Sequence, residues 1–316
     1  MLVYTHAVCL EHEPGPGHPE SPSRLRAVLR ALDDPACAKT ERIEAPIATR
    51  EQLARVHAPA MIDALFEASP AYGQIFLDAD TAMSAHSLSA AQRAAGAACA
   101  AVDAVLGGSH RRAFCAVRPP GHHATHDAAM GFCLFNNIAV AAAHALATHA
   151  IERVAIIDFD VHHGNGTADI FANDTRVLYA STHQSPLYPG TGGASQRGIG
   201  NLVNVPLAAG SGSSEFREAY VTRILPELDR FAPQLVLVSA GFDAHRLDPL
   251  ANLNLDAEDY AWVTAELVGI AERHAGGRLV STLEGGYSLT ALHESTIAHI
   301  NALARKSGEA RSEALH

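Results

Sequence analysis

Apolar and polar positions divide this chain into short buried runs and longer periodic ones. Val154-Ala155-Ile156-Ile157 reads as a buried strand, and so do Ala113–Val117, Leu235–Ser239 and Arg278–Leu283. Residues 2–5 and 176–181 add two more strands. Between the strands, apolar positions recur at helical spacing. One helix follows Ser21-Pro22-Ser23, with Leu25, Val28, Leu29 and Leu32 on a stripe, Ser as the cap and Pro in the first turn. Others are predicted over 59–68, 87–106, 137–148, near 167–172, and over 214–231, 256–274 and 288–304. The helix over 87–106 is rich in alanine and closed by Gly107-Gly108. Stretches 70–85 and 183–200 lack a period and read as extended loops. The polar tail from Arg305 to His316 is expected to fray. Strands alternating with helices predict an α/β fold, with one mainly parallel sheet flanked by helices in layers. No linker or repeat interrupts it, so residues 1–304 are expected to form a single domain.

The four buried runs share an ending. The first continues as Asp158-Phe159-Asp160-Val161-His162-His163-Gly164-Asn165-Gly166-Thr167. Asp158, Asp160 and His162 have one parity, so an extended chain points them the same way. The others lead into Arg118-Pro119-Pro120-Gly121-His122-His123, into Gly241-Phe242-Asp243-Ala244-His245, and into Glu284-Gly285-Gly286-Tyr287. In open α/β sheets, ligands bind beyond the carboxyl ends of the strands. That rule brings Asp160, His162, Asp243, the His122–His123 pair and Tyr287 into one crevice. Carboxylates and imidazole without thiolate suit zinc, iron or manganese. The plainer alternative is that the acids only cap the next helix.

Composition narrows the function classes. Of 316 residues, 48% are apolar, as an ordinary core needs, and the net charge of −11 argues against a nucleic-acid partner. The five cysteines, Cys9, Cys37, Cys99, Cys115 and Cys133, are odd in number and form no CxxC, so no disulfide framework or zinc knuckle is implied. Cys115 and Cys133 lie in apolar runs and are expected to be buried. No signal-like start and no membrane-length apolar run is seen, which makes a cytoplasmic location the default.

The chain resembles the histone deacetylase superfamily, which includes acetylpolyamine amidohydrolases and acetoin-utilisation deacetylases. The resemblance lies in Gly17-His18-Pro19-Glu20 with Arg24, Arg118 to His123, Gly131-Phe132-Cys133-Leu134-Phe135-Asn136-Asn137, Asp158 to Thr167, Pro189-Gly190-Thr191-Gly192, Gly241-Phe242-Asp243 and Glu284 to Tyr287. These span residues 17–287 in the family's order, and the Arg-Pro-Pro-Gly-His-His and Leu-Glu-Gly-Gly-Tyr forms are similar to class II members. The resemblance implies the three-layer arginase/deacetylase fold. It implies one zinc held by Asp160, His162 and Asp243. His123 would be the general base and then acid, with Asn165 behind it in place of the aspartate of class I members. An amide there should leave His123 less basic. His122 would be an electrostatic partner backed by Asp158, and Tyr287 an oxyanion donor.

By the same resemblance, Phe132 and Tyr188 flank an acyl-lysine tunnel, Gly131 offers its carbonyl to the substrate amide, and Arg24 lies beneath the site to help acetate leave. A structural potassium or sodium ion would sit on carbonyls of Asp158, Asp160, His162 and Thr182 with the Ser181 hydroxyl. Leu250 stands where polyamine-specific relatives carry a glutamate, which weighs against a polyamine substrate. Asp78 or Asp80 is the expected rim aspartate, and His183 and His245 are read as surface histidines in preference to rim groups. The implied activity is zinc-dependent removal of acetyl or other acyl groups from a lysine-type amine on a peptide or small molecule. Competing readings are an acetylpolyamine or other small-amide amidohydrolase, a two-manganese ureohydrolase-like enzyme, and a non-catalytic acyl-lysine binding protein. Oligomeric state is left open, a homo-oligomer included.

Overall fold

The computed structural model describes residues 1–305, so the tail expected to fray lies, from 306 onward, outside the described residues. Eight strands form one parallel sheet: β1 Leu2–Thr5, β2 Glu41–Glu44, β5 Arg112–Cys115, β6 Val154–Asp158, β7 Val177–Gln184, β8 Leu202–Leu207, β9 Leu235–Ala240 and β10 Leu279–Leu283. A separate antiparallel hairpin pairs β3 Gln74–Phe76 with β4 Ala82–Ser84. In the large sheet the order is β2-β1-β5-β10-β9-β6-β7-β8. Helices cover the sheet, as the alternation of elements predicts.

The central strands are buried along their whole length. Every residue of β6, β9 and β10 is inaccessible, because helices close both faces of a parallel sheet. The edges are written differently. β2, Glu-Arg-Ile-Glu, is largely exposed and charged, and β8 carries Pro206. Both features discourage further strands from adding there. Over Ser87–Gly107, small side chains such as Ala91, Ala94, Ala98 and Ala101 let that helix pack closely and leave no exposed apolar stripe.

Several boundaries differ from the sequence expectation. The stretch 70–85 contains the hairpin, whose three-residue strands are too short to display a period of two. β2 has only one apolar residue and β8 follows a long irregular loop, so neither carried a strand pattern. β7 continues to Gln184 and so places Ser181, Thr182 and His183 inside a buried strand. The helix Pro22–Asp33 begins after Ser21 as expected, but the Ser21 side chain makes no capping hydrogen bond.

Candidate active site

The four strands with polar endings are neighbours in the sheet, in the order β5-β10-β9-β6. Their carboxyl ends therefore open onto one place. Asp160 and His162 follow β6 and Asp243 follows β9. His162 Nδ1 lies 3.0 Å from Asp160 Oδ1 and 3.3 Å from Asp243 Oδ2. Backbone amides hold the carboxylates in place. Gly285 N donates to Asp160 Oδ2 at 2.8 Å, His162 N to Asp160 Oδ1 at 2.9 Å, and Val161 N to Asp243 Oδ1 at 2.8 Å. Gly285 must be glycine: a Cβ there would collide with the carboxylates of both Asp243 and Asp160.

Asp243 Oδ2 is left buried without a hydrogen bond. Such an orphan costs about 1–3 kcal/mol or more unless something pairs with it. Burial and the nearby Asp160 charge push the Asp243 carboxyl up to about 7. Burial disfavours a charge on His162, but the hydrogen bond to Asp160 and the negative charges of Asp160 and Asp243 raise it to about 10. Acids packed this closely draw in positive charge. Two carboxylate oxygens and an imidazole nitrogen at these separations fit a divalent cation with N and O ligands at about 2.0–2.2 Å.

Beside this cluster lie the tandem histidines, with ring centroids 4.0 Å apart and opposite tendencies. His122 Nδ1 is 2.9 Å from Asp158 Oδ2, and Asp158 also accepts from the Tyr179 hydroxyl. Burial works against a charged His122, yet Asp158 and Asp160 raise it to about 10. His123 Nδ1 faces Asn165 Oδ1 at 2.8 Å. Burial, then the neighbouring His122 and His162, hold His123 well below its ordinary value. One ring keeps a proton and the next is a neutral base. Asn165 fixes the tautomer: its amide oxygen accepts the Nδ1 proton of His123 and leaves Nε2 as a free lone pair.

A cavity of about 230 Å³ leads down to this point, lined by Asp80, Gly131, Phe132, Leu187, Tyr188, Leu250 and Tyr287 with His123 and His162. Phe132 and Tyr188 stand on its walls, and Leu250 lies at its partly exposed mouth. Of the two candidate rim acids, Asp80 lines the cavity. Asp78 instead accepts from the amides of Asp80 and Thr81 and caps its own turn. Gly131 has φ +57, and a Cβ there would meet the His123 ring at 2.6 Å. Phe132 also takes a left-handed φ of 68, held by its N–H on Thr81 Oγ1.

Residues 18–303 match the histone deacetylase domain family. The chain belongs to that family. It is 45% identical over 278 residues to a histone deacetylase-like amidohydrolase of Pseudomonas aeruginosa, covering 86% of this chain and 73% of that protein. It is 40% identical to the chloroplastic histone deacetylase 14 of Arabidopsis thaliana, over 96% of this chain and 76% of the other. A probable deacetylase of Archaeoglobus fulgidus is 40% identical over 91% of this chain and 81% of its own. Among solved structures, an HDA15 HD domain superposes with a TM-score of 0.90 at 37% identity, over 96% of this chain and 87% of that one. A histone deacetylase-family fold, a parallel sheet flanked by helices, and a deacetylase or amidohydrolase activity follow. No helix among the described residues is long and apolar enough to cross a membrane.

This histone deacetylase-family site rests on a buried layer that sequence reading largely missed. Arg24 is fully buried. Its Nε donates to Gly286 O at 2.6 Å, it also donates to Glu284 O and Glu20, and its guanidinium lies 4.8 Å from the Tyr287 ring centroid. Glu20 also pairs with Arg118, whose fork reaches the carbonyls of Cys9 and His12. Glu20 and Arg118 sit in motif segments, but nothing in their spacing shows that they meet. Tyr179 looks like a core tyrosine in an apolar run. Two expectations are corrected. His183 and His245 are buried, at 1% and 2% exposure. β7 runs three residues past its predicted end and carries His183 inside, while His245 lies in the turn after Asp243 beneath neighbouring loops. All five cysteines are buried.

Proposed function

We propose that this protein is a zinc-dependent amidohydrolase that removes acetyl or other acyl groups from lysine-type amines. The observation that carries the reading is the tandem pair, His122 on the Asp158 carboxylate and His123 on the Asn165 amide oxygen, at the foot of an aromatic-walled cavity that ends on Asp160, His162 and Asp243. Those three would hold the zinc. Asp243 Oδ2, buried with no hydrogen bond and with the His162 ring 3.3 Å away, supports that assignment. When bound, zinc supplies Lewis acidity towards an amide carbonyl and acidifies a water.

The chain's own groups do the rest. His123 Nε2 takes the proton of the attacking water and returns it to the leaving amine. His122, protonated against Asp158, stabilises negative charge without leaving its place. Tyr287, kept neutral chiefly by burial, donates its hydroxyl to the developing oxyanion. Arg24 lies against its ring and carries positive charge where a carboxylate product forms. Phe132 and Tyr188 clasp the aliphatic stem of the amine and exclude water around it, and Gly131 presents its carbonyl beside His123. A monovalent cation, potassium or sodium, would be held beside β6 and β7 by carbonyls of Asp158, Asp160, His162 and Thr182 with the Ser181 oxygen. His183 supports this: its Nε2 donates to Gly192 O at 2.9 Å, so its Nδ1 accepts from the Ser181 hydroxyl and leaves the Ser181 lone pairs free.

Asp80 at the rim would also suit a cationic small amine, so acetylpolyamines remain the second reading, with Leu250 weighing against it. The test measures metal content together with turnover of an acetyl-lysine peptide amide, N-acetylputrescine, N-acetylspermidine and a trifluoroacetyl-lysine reporter. One zinc with peptide hydrolysis is expected. Turnover of the polyamines alone would move the protein to the second reading, and zinc without turnover of any of them would overturn both.

A further inference from the structure

Glu284 is a buried carboxylate that the mechanism above does not use. It is absent from the cavity lining and 0% exposed. It directly follows β10, and its own N–H is tied to Ala240 O on β9 at 3.0 Å. Its side chain crosses to the neighbouring strand β5 and meets the turn that carries the tandem histidines. Oε2 accepts from Gly121 N at 2.7 Å and from His122 N at 3.2 Å, while Oε1 accepts from the Ser239 hydroxyl at 3.1 Å. On its other side the same turn is held by Gly166 N and Thr167 N, which both donate to His122 O.

We infer that Glu284 is a positioning residue that sets the height and aim of His122 and His123 by accepting the two buried amides of their turn. This rests on the reading of His123 as the base. Without that acceptor, two buried N–H groups have no partner, and the turn must shift to find one or stay unsatisfied. A shift of about 1 Å in a catalytic base can cost on the order of a hundredfold in rate. The neighbours of the side chain are all donors, so the position asks for an acceptor at a set reach.

Two near-isosteric variants separate reach from charge. Glu284→Gln keeps the length: its amide oxygen can take both N–H groups while its NH2 turns to Ser239 Oγ. Glu284→Asp keeps the charge but is one methylene too short. With the zinc-loaded enzyme and an acetyl-lysine amide, E284Q is expected to stay within roughly threefold of wild-type kcat. E284D is expected to fall about ten- to a hundredfold in kcat, with KM little changed and full zinc content. The reverse order would mean that charge matters instead and would overturn the inference. So would wild-type kcat in both variants, or loss of zinc from both. A wild-type enzyme inactive on every N-acyl amine would sink the functional reading separately. In that event a crystal structure of E284D decides: a displaced His122–His123 turn sustains the inference, and an unmoved one overturns it.

Discussion

Two clusters in this molecule offer a metal similar donors. Asp160, His162 and Asp243 lie at the carboxyl ends of central strands, and Asp103, His144 and His149 lie among the outer helices, where only Asp103 is exposed. Distance does not separate them: Asp103 Oδ1 is 2.8 Å from Nε2 of both His144 and His149. Their surroundings do. In the buried cluster, backbone amides hold the carboxylates, and one carboxylate oxygen has no partner. On the surface, Asp103 is exposed and its oxygen is already shared between two N–H groups. Arg55 donates to His144 Nδ1 at 2.7 Å, so His144 keeps its proton on Nε2, where a metal would have to bind. The groups that hold the donors, more than the donors, make a metal centre.

The largest expected effect breaks this comparison at one end. Asp160→Ala should reduce bound zinc from one equivalent to near none and abolish turnover, whereas Asp103→Ala should leave both at wild-type values. Elemental analysis of the purified variants checks it, and equal zinc loss from the two would erase the distinction. Next in size is Tyr287→Phe. It removes an oxyanion donor without touching the metal ligands, so kcat should fall about 100- to 1,000-fold with zinc retained. Unchanged kcat on an acetyl-lysine amide would remove Tyr287 from the mechanism.

The contrast between the clusters also marks what could be read from sequence. The buried cluster was legible because each donor follows a strand-length apolar run, and the strand-end rule needs no side-chain contacts. The parity of Asp158, Asp160 and His162 pointed to it only together with the other three strand ends. Of the layer beneath, only Arg24 was legible, through the family resemblance, and its contacts were not. Glu20, Arg24 and Arg118 come from residues up to 98 apart and meet only through tertiary packing. Glu284 stood in a recognisable motif, but its partners are backbone amides, which leave no mark in a sequence. His183 was misplaced because β7 runs past its apolar stretch into Ser181-Thr182-His183, polar residues that are buried all the same.

A third histidine extends the comparison to stability. His57 is as buried as His122 but has no acid beside it. Its Nδ1 donates to Thr125 O and its Nε2 accepts from Asn136 N. Burial therefore lowers it from 6.5 to about 4, where carboxylates drive His122 the other way. The folded protein refuses a proton that the unfolded chain accepts below about 6.5. Stability from this residue is thus complete above pH 6.5 and declines as pH falls towards 4, by up to roughly 3 kcal/mol. His57→Gln can keep a donor and an acceptor but cannot titrate. Urea midpoints from pH 7 to 4 should decline less steeply in the variant, and equal slopes would show that His57 does not contribute.

The smallest effect concerns Arg55. If its guanidinium is what keeps the surface cluster from serving as a metal site, Arg55→Ala should free His144 Nδ1 to carry the ring proton and expose a lone pair at Nε2. Two imidazoles and a carboxylate would then be available, with nothing holding Asp103 in place. Zinc titration should show a weak second equivalent in the variant and none in the wild type at the same concentration. The gain should remain small, because an exposed carboxylate is solvated and must be ordered as the metal binds. A second equivalent in the wild type would mean that convergence alone suffices. Its absence from both proteins would place the obstacle in the mobility of Asp103 and leave backbone anchoring as the feature that separates the two clusters.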